Sequence, residues 1–179
     1  RLRFQVEKVL QMSLYDRDNI AFKQKELDVH RLLTSVVKTF TLKVSQNGGT
    51  ISTDFKAIIS DTCVDEMHFT NVIFNLMDNA VKHKRDDVSL HLEIRTWNTG
   101  DKLNISVEDN GVGIQKDDLK RIFDKFFRVH TGNKHDVKGF GLGLAYVKTI
   151  ISLHNGSIRA ESNFGHGTRF IITLPTIKN

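Results

Sequence analysis

The amino-acid sequence predicts an α+β layer sandwich, and three observations carry that prediction. Stretches with apolar residues at three- and four-residue spacing read as amphipathic helices over about 28–45, 65–82 and 142–154. Alternating stretches pair across short turns, as in 88–97 and 102–109 around "NTGD" and the last two strands around "NFGHG". Helices are interspersed with these antiparallel pairs and do not alternate strictly with strands, which argues against a regular βαβ fold.

Taken in order, residues 1–15 place Leu2, Val6, Val9, Leu10 and Leu14 on a short stripe that wants a helical partner, and "YDRDN" ends it. Residues 20–25 read as a short strand. Asp28 supplies the N-cap of a helix running to about Ser45, and "NGG" turns the chain into an alternating strand from Thr50 to Phe55. A further short strand near Asp61–Val64 leads to Asp65, the N-cap of a second helix. Strands follow over Val88–Trp97 and Lys102–Asp109, then a helix over Gln115–Phe127 and a polar loop over 128–139. Leu142 to His154 is helical, closed by "NG", and Ser157–Ser162 and Thr168–Leu174 are the last strands.

Composition narrows the function. A chain of 179 residues, 39% hydrophobic and 26% charged, buries one good core or one domain with an appended element. The net charge of +5 suits an anionic ligand but is too small and too dispersed to argue for nucleic acid. The single Cys63 excludes an intramolecular disulfide framework and fits a reducing cytoplasm. No apolar run is long enough to span a bilayer. The chain opens on Arg1 inside an expected helix, so it reads as a piece of a larger protein.

The helix "NVIFNLMDNAVKH" carries two kinds of face. Phe69, Val72, Ile73, Leu76 and Ala80 form a core stripe, while Asn75, Asp78, Asn79 and Lys82 recur on nearly the opposite side. A solvated outer face explains the second set, although such faces favour Glu and Lys over a pair of asparagines. In "EDNGVGI", Asp109 continues the alternation of Leu103, Ile105 and Val107, so its carboxylate points toward the core and needs strong donors. A ligand amino group would serve, with Gly111 and Gly113 leaving room for it; a "DNG" hairpin turn is the competing reading. "KGFGLGLAYVK" places Gly139, Gly141 and Gly143 before a helix, where free amides suit phosphate oxygens. It matches neither the Walker loop nor the dinucleotide fingerprint.

In this order, with the Phe-rich "IFDKFFR" between the glycine segments, these stretches resemble the catalytic ATP-binding domain of bacterial sensor histidine kinases. That family lies within the wider gyrase, Hsp90, MutL and histidine-kinase ATP-binding group. The resemblance covers about Ile20 to Asn179. "NVIFNLMDNAVKH" matches the N box, "DNGVGI" the first glycine box, "IFDKFFRV" the F box and "GFGLGL" the second glycine box. "GHGTRF" is similar to the small terminal glycine motif.

The resemblance implies a Bergerat-type two-layer sandwich, with a mixed, mainly antiparallel sheet and helices on one face. It implies a domain over 16–179 preceded, over 1–15, by the end of the second dimerisation helix. Asn79 would hold Mg²⁺ through its side-chain oxygen, Asn75 would stand one turn earlier, and Lys82 would neutralise phosphate charge. Asp109 would accept from the adenine amino group, with Gly111 and Gly113 beside the base and Gly139, Gly141 and Gly143 at the phosphates. Phe123, Phe126 and Phe127 would anchor a lid over 128–139. Ile114, Arg128, Phe140, Leu142, Leu144 and Thr168 are assigned to the ATP site by the same correspondence. Two positions depart from the pattern. His83 stands where the N box usually ends in Tyr, and Phe127 where the F box has Tyr.

The chemistry implied is phosphotransfer. Hydrolytic relatives carry a Glu where Asn75 stands, and an amide cannot deprotonate water. The acceptor histidine of the family lies in a proline-containing motif, and the one proline here is Pro175, so the acceptor is expected on a dimerisation domain outside this chain. His30, His68, His91, His154 and His166 have ordinary readings as surface or strand residues, and His130 and His135 fall in the lid. The expected partners are that dimerisation domain and a response regulator. The fragment is expected to be monomeric and cytoplasmic, its parent a homodimer with a possible inner-membrane anchor. The alternatives are a degenerate nucleotide-binding module without phosphotransfer and, more weakly, an ATP hydrolase.

Overall fold

A computed structural model describes residues 22–129 and 141–177. The expected helix over 1–15, the domain boundary after it, His130, His135, Gly139 and Phe140 lie outside the described residues.

Seven strands and four helices are described: β1 Lys25–Asp28, α1 Val29–Gln46, β2 Thr50–Phe55, β3 Asp61–Val64, α2 Glu66–Lys82, β4 His91–Thr99, β5 Lys102–Asp109, α3 Lys116–Leu119, α4 Gly143–Leu153, β6 Ser157–Asn163 and β7 Gly167–Pro175. The main sheet has the order β2-β4-β5-β7-β6. Its β2–β4 pair is parallel and the other three are antiparallel. β1 and β3 form a separate antiparallel pair. This is the mixed, mainly antiparallel sandwich that the resemblance implied.

One face of the sheet builds the core. Leu92 and Ile94 of β4, Leu103, Ile105 and Val107 of β5, and Phe170, Ile172 and Leu174 of β7 are buried. They form one cluster with Val29, Leu33, Val36 and Phe40 of α1, the stripe Phe69, Val72, Ile73, Leu76 and Ala80 of α2, and Val147, Ile150 and Ile151 of α4. Period two in the strands and the helical period in the helices deliver these residues to the same layer. The opposite face carries ion pairs, Arg169 to Glu108 and Glu161, and Arg95 to Glu93.

Both asparate caps form as expected: Asp28 accepts from the His30 amide at 2.9 Å and Asp65 from the His68 amide at 3.0 Å. Each offsets donors that a helix start leaves unpaired. Asn155, with φ 55, follows the end of α4, and the Gly156 amide returns to the Ile151 carbonyl at 3.0 Å.

Several boundaries move. The strand expected over 20–25 is found at Lys25–Asp28, because pairing with Asp61–Val64 sets its register. The strand expected from Val88 begins at His91, since Asn110 holds the preceding segment as a loop, accepting from the His91 amide and donating to the Ser89 carbonyl. The helix expected over Gln115–Phe127 is confined to Lys116–Leu119. No side chain caps it, and the chain continues in successive turns, Arg121 to Asp118, Asp124 to Arg121 and Phe127 to Asp124. Phe126 then adopts φ 65, which no right-handed helix contains.

Candidate functional site

The end of β5, the end of α2 and the start of α4 converge. β5 hands the chain from the core to "DNGVGI", and Asp109 is its last residue, opposite Thr168 of β7. One Asp109 oxygen accepts from the Gly111 amide at 2.8 Å, and the Thr168 amide also donates to the carboxylate. Burial nevertheless pushes its pKa up to about 6, against those two N–H groups, and Glu108 adds to the rise. No cation is paired with Asp109 among the described residues, so the carboxylate has room for another donor.

The surrounding glycines are fixed by protein, which the sequence did not show. A Cβ on Gly111 would stand 2.4 Å from the His83 carbonyl, and one on Gly113 (φ 69) would stand 2.2 Å from the Asn163 carbonyl. A Cβ on Gly167 (φ 107) would come within 1.9 Å of the Asp109 carbonyl. These approaches pack three loops into one floor. The Val112 amide donates to the His83 carbonyl, the Gly165 amide to the Val112 carbonyl, and Arg85 to the Gly165 carbonyl at 2.7 Å. Ser162 is the hub beneath. Its hydroxyl donates to the Gly167 carbonyl at 2.7 Å, accepts from the Ile114 amide at 2.8 Å and lies 3.0 Å from the Thr168 hydroxyl. Neither Ser162 nor Asn110 was singled out in the sequence. For Ser162, the signal was a polar residue at a core-facing position of β6, after Ile158 and Ala160.

The polar face of α2 divides between two neighbours. Asp78 turns to α1, where Lys43 donates to it, and Lys82 lies 2.8 Å from its other oxygen. Burial would raise the Asp78 pKa, but the two ammonium groups outweigh it and hold it below the usual range. Lys82 is therefore already engaged by a carboxylate. Asn75 turns to α4: its Nδ2 donates to the Asn71 carbonyl at 2.8 Å, leaving Oδ1 against Gly143, where a Cβ would come within 2.9 Å. Asn79 is half-buried one turn later, and His83 ends the helix with its amide on the Asn79 carbonyl. Burial, then Lys82 and Arg128, lower the His83 pKa, so its ring is neutral near pH 7.

Gly141 (φ 70) accepts from the Phe126 amide at 3.0 Å, tying the Phe-rich segment to the start of α4. Phe123 packs on Phe170, ring centroids 6.4 Å apart, and Lys148 reaches its face. Arg121 covers the ring of half-buried Phe127 at 4.5 Å, while Phe126 is exposed. Leu142 is buried at the head of α4, Leu144 half-buried, and no side chain caps this helix. Its first amides are thus suited to an anion.

Two histidines read as ordinary surface or strand residues are buried instead. His68 lies 2.9 Å through Nδ1 from the Tyr146 hydroxyl, and His154 accepts from the Asp65 amide through Nε2 at 2.8 Å. Among the described residues no group of three or more His, Cys, Asp or Glu could hold a metal, and no helix is long and apolar enough to cross a membrane.

Residues 64–178, which contain this geometry apart from Lys43, match the family model described as histidine kinase-, DNA gyrase B-, and HSP90-like ATPase. The chain belongs to that family. It is a catalytic ATP-binding domain of the sensor histidine kinase type, with the Bergerat fold. Among similar proteins, "Sensor protein RprX" of Bacteroides fragilis (strain YCH46) is 61% identical over 179 residues, covering 100% of this chain and 34% of that protein. "Sensor protein kinase WalK" of Staphylococcus aureus is 30% identical over 170 residues, 95% of this chain and 40% of that protein. The chain thus spans between about a third and two-fifths of the length of these curated relatives. The catalytic domain of histidine kinase ThkA superposes with a TM-score of 0.70 at 25% identity, over 86% of this chain and 98% of that one. Full-length ShkA in complex with AMPPNP gives 0.75 at 23% identity, over 89% and 32% respectively.

Proposed function

We propose that this domain binds Mg-ATP and passes the γ-phosphoryl group to a histidine imidazole on a dimerisation segment outside this chain, for relay to a response regulator. The observation that carries the choice of transfer over hydrolysis is Asn75. It occupies the α2 face toward α4 with an amide whose N–H is bound to the Asn71 carbonyl, so that face presents an oxygen without useful basicity. The nearby carboxylate, Asp78, is held by Lys43 and Lys82 and is no base either.

The residues fit the nucleotide. Asp109 is a partly buried acceptor whose charge is paired with no cation among the described residues, and an adenine amino group would supply a further donor. Gly111, Gly113, Ile114 and Thr168 would form the floor beneath it, and the neutral ring of His83 would close its side. The uncapped start of α4, from Gly141 through Leu142, Gly143 and Leu144, would receive the phosphates, with Gly139 and Phe140 leading into it. Phe123 and Phe127 would seat the base of a lid that includes Arg128.

Mg²⁺ also fits. A hard cation that keeps most of its waters and shares phosphate oxygens needs few protein ligands, and the amide oxygen of Asn79 suits it. When bound, it would spread the charge developing on the transferred group. The chain's own residues orient the nucleotide and exclude a general base. The γ-phosphoryl bond to ADP breaks as the bond to the imidazole nitrogen forms. Lys82 would have to exchange Asp78 for phosphate oxygen to assist.

The decisive assay mixes this domain with a separately supplied dimerisation segment and radiolabelled Mg-ATP. Acid-labile label on the segment, with slow phosphate release by the domain alone, is the expected result. Fast hydrolysis with no labelled segment would replace this reading with a hydrolase.

A further inference from the structure

Tyr146 lies in the first turn of α4, buried, beside the seam where α4 crosses α2. Its hydroxyl stands 2.9 Å from His68 Nδ1, and the Asn71 side chain lies beside it and lowers its pKa against the effect of burial. Both partners are on α2, one turn apart. Either group can be the donor in the Tyr146–His68 bond, and burial raises the Tyr146 pKa to about 12, so the phenol keeps its proton. His68 is itself buried, with its amide on the Asp65 carboxylate. The same Asn71 accepts Asn75 Nδ2 through its carbonyl, and Asn75 Oδ1 stands where a Cβ on Gly143, at the head of α4, would meet it at 2.9 Å. The Tyr146–His68 bond, with Asn71 and Asn75 beside it on α2, therefore ties the first turn of α4 to the amide face of α2.

We propose that Tyr146 is a positioning residue, which through His68 and Asn71 sets the anion-receiving first turn of α4 at the correct distance from the metal-binding face of α2. The inference rests on the nucleotide reading above. The lock joins the two elements that must grip the same phosphates, one by its amides and one through Mg²⁺, and touches neither the base floor nor Asp109. Removing the hydroxyl lets α4 drift relative to α2 and uncouples the phosphate contacts from the metal contact.

The test measures affinity of the 179-residue chain for AMPPNP in EDTA and at saturating Mg²⁺. The ratio of the two constants reports how well α2 and α4 grip the phosphates together. Tyr146→Phe, which keeps the ring, should shrink that ratio by about five- to tenfold, the worth of one buried hydrogen bond, while affinity in EDTA stays within about twofold. His68→Asn retains an acceptor near the Nδ1 position and should preserve the ratio, whereas His68→Leu should lose it as Tyr146→Phe does. That pair carries the same contrast if Tyr146→Phe does not fold. A wild-type ratio in Tyr146→Phe, an equal fall in EDTA and in Mg²⁺, or identical behaviour of the two His68 variants would each overturn the proposal. A wild-type chain that binds no AMPPNP defeats the nucleotide reading and this proposal together; wild-type binding with an unaffected Tyr146→Phe defeats this proposal alone.

Discussion

Asp109 should make the empty domain less stable than its sequence could allow, because its carboxylate is buried with no paired cation among the described residues. Its pKa is pushed from 3.8 up to about 6, chiefly by burial. A carboxyl whose folded pKa lies above its unfolded value contributes stability that is present below pH 3.8 and lost as pH rises through about 6. At about 1.4 kcal/mol for each tenfold in proton affinity, the penalty at pH 7.5 is at most about 3 kcal/mol. Asp109→Asn removes the charge and with it the penalty. The amide offers the Gly111 and Thr168 N–H groups one neutral oxygen in place of a charged carboxylate, which returns about 1–2 kcal/mol. The net expectation is a gain of about 1–2 kcal/mol, or roughly 2–8 °C in Tm for a domain of this size. Mg-ATP affinity should fall by about 1.5–3 kcal/mol, since the amide now faces the adenine amino group with a donor. The two proteins therefore exchange rank: the variant melts higher when empty and lower at saturating nucleotide. Wild-type affinity should also weaken about tenfold per pH unit below pH 6, because the protonated carboxyl must lose its proton to accept. The variant lacks that dependence and controls for titration of the phosphates. Thermal unfolding with and without Mg-ATP, and binding titrations from pH 5 to 8, measure both. A variant no more stable than wild type when empty, or one with the same pH slope, would refute the reasoning.

Asn75→Glu restores the carboxylate of hydrolytic relatives, and phosphate release at saturating Mg-ATP should rise within the range of about 10²–10⁴-fold for positioned bases, at its low end. An unchanged rate would show that more than the base is missing. Gly167→Ala places a methyl 1.9 Å from the Asp109 carbonyl at φ 107, so it should cost about 3 kcal/mol or more and abolish nucleotide binding, read by chemical denaturation and titration. Phe126→Gly relieves a left-handed residue whose ring is exposed, and should stabilise by up to about 1 kcal/mol in the same denaturation experiment.

The fold was legible where a residue's role follows from period and local chemistry. The α2 stripe, both aspartate caps and the β4–β5 hairpin depend on neighbours within a few residues, so the sequence displays them. The Gln115–Phe127 segment misled because its helix-forming residues lack a cap and carry no continuous core face. Turns and the positive φ of Phe126 win there once Gly141 supplies the acceptor for its amide. Nothing local announces a partner fifteen residues away.

The site shows the same limit in a sharper form. A sequence reads Asn75, Asp78, Asn79 and Lys82 as one polar face, since helical spacing is all it has. The structure divides them, because α1 presents Lys43 to one edge of that face and α4 presents Gly143 to the other. Asp78 is thereby committed to lysines and Asn75 to the crossing with α4. The difference matters for mechanism. A free Asp78 would be a second carboxylate beside the phosphates, repelling them and competing as a base. Held by two ammonium groups, it brings no net negative charge to the site and ties Lys82 close to where phosphate would arrive. The glycines show the same division: Gly111, Gly113 and Gly167 admit other backbone, and their absence of side chains builds the floor on which Asp109 stands. Glycines that read in sequence as open space are, in three dimensions, points where loops pack tightly enough to hold one carboxylate in place.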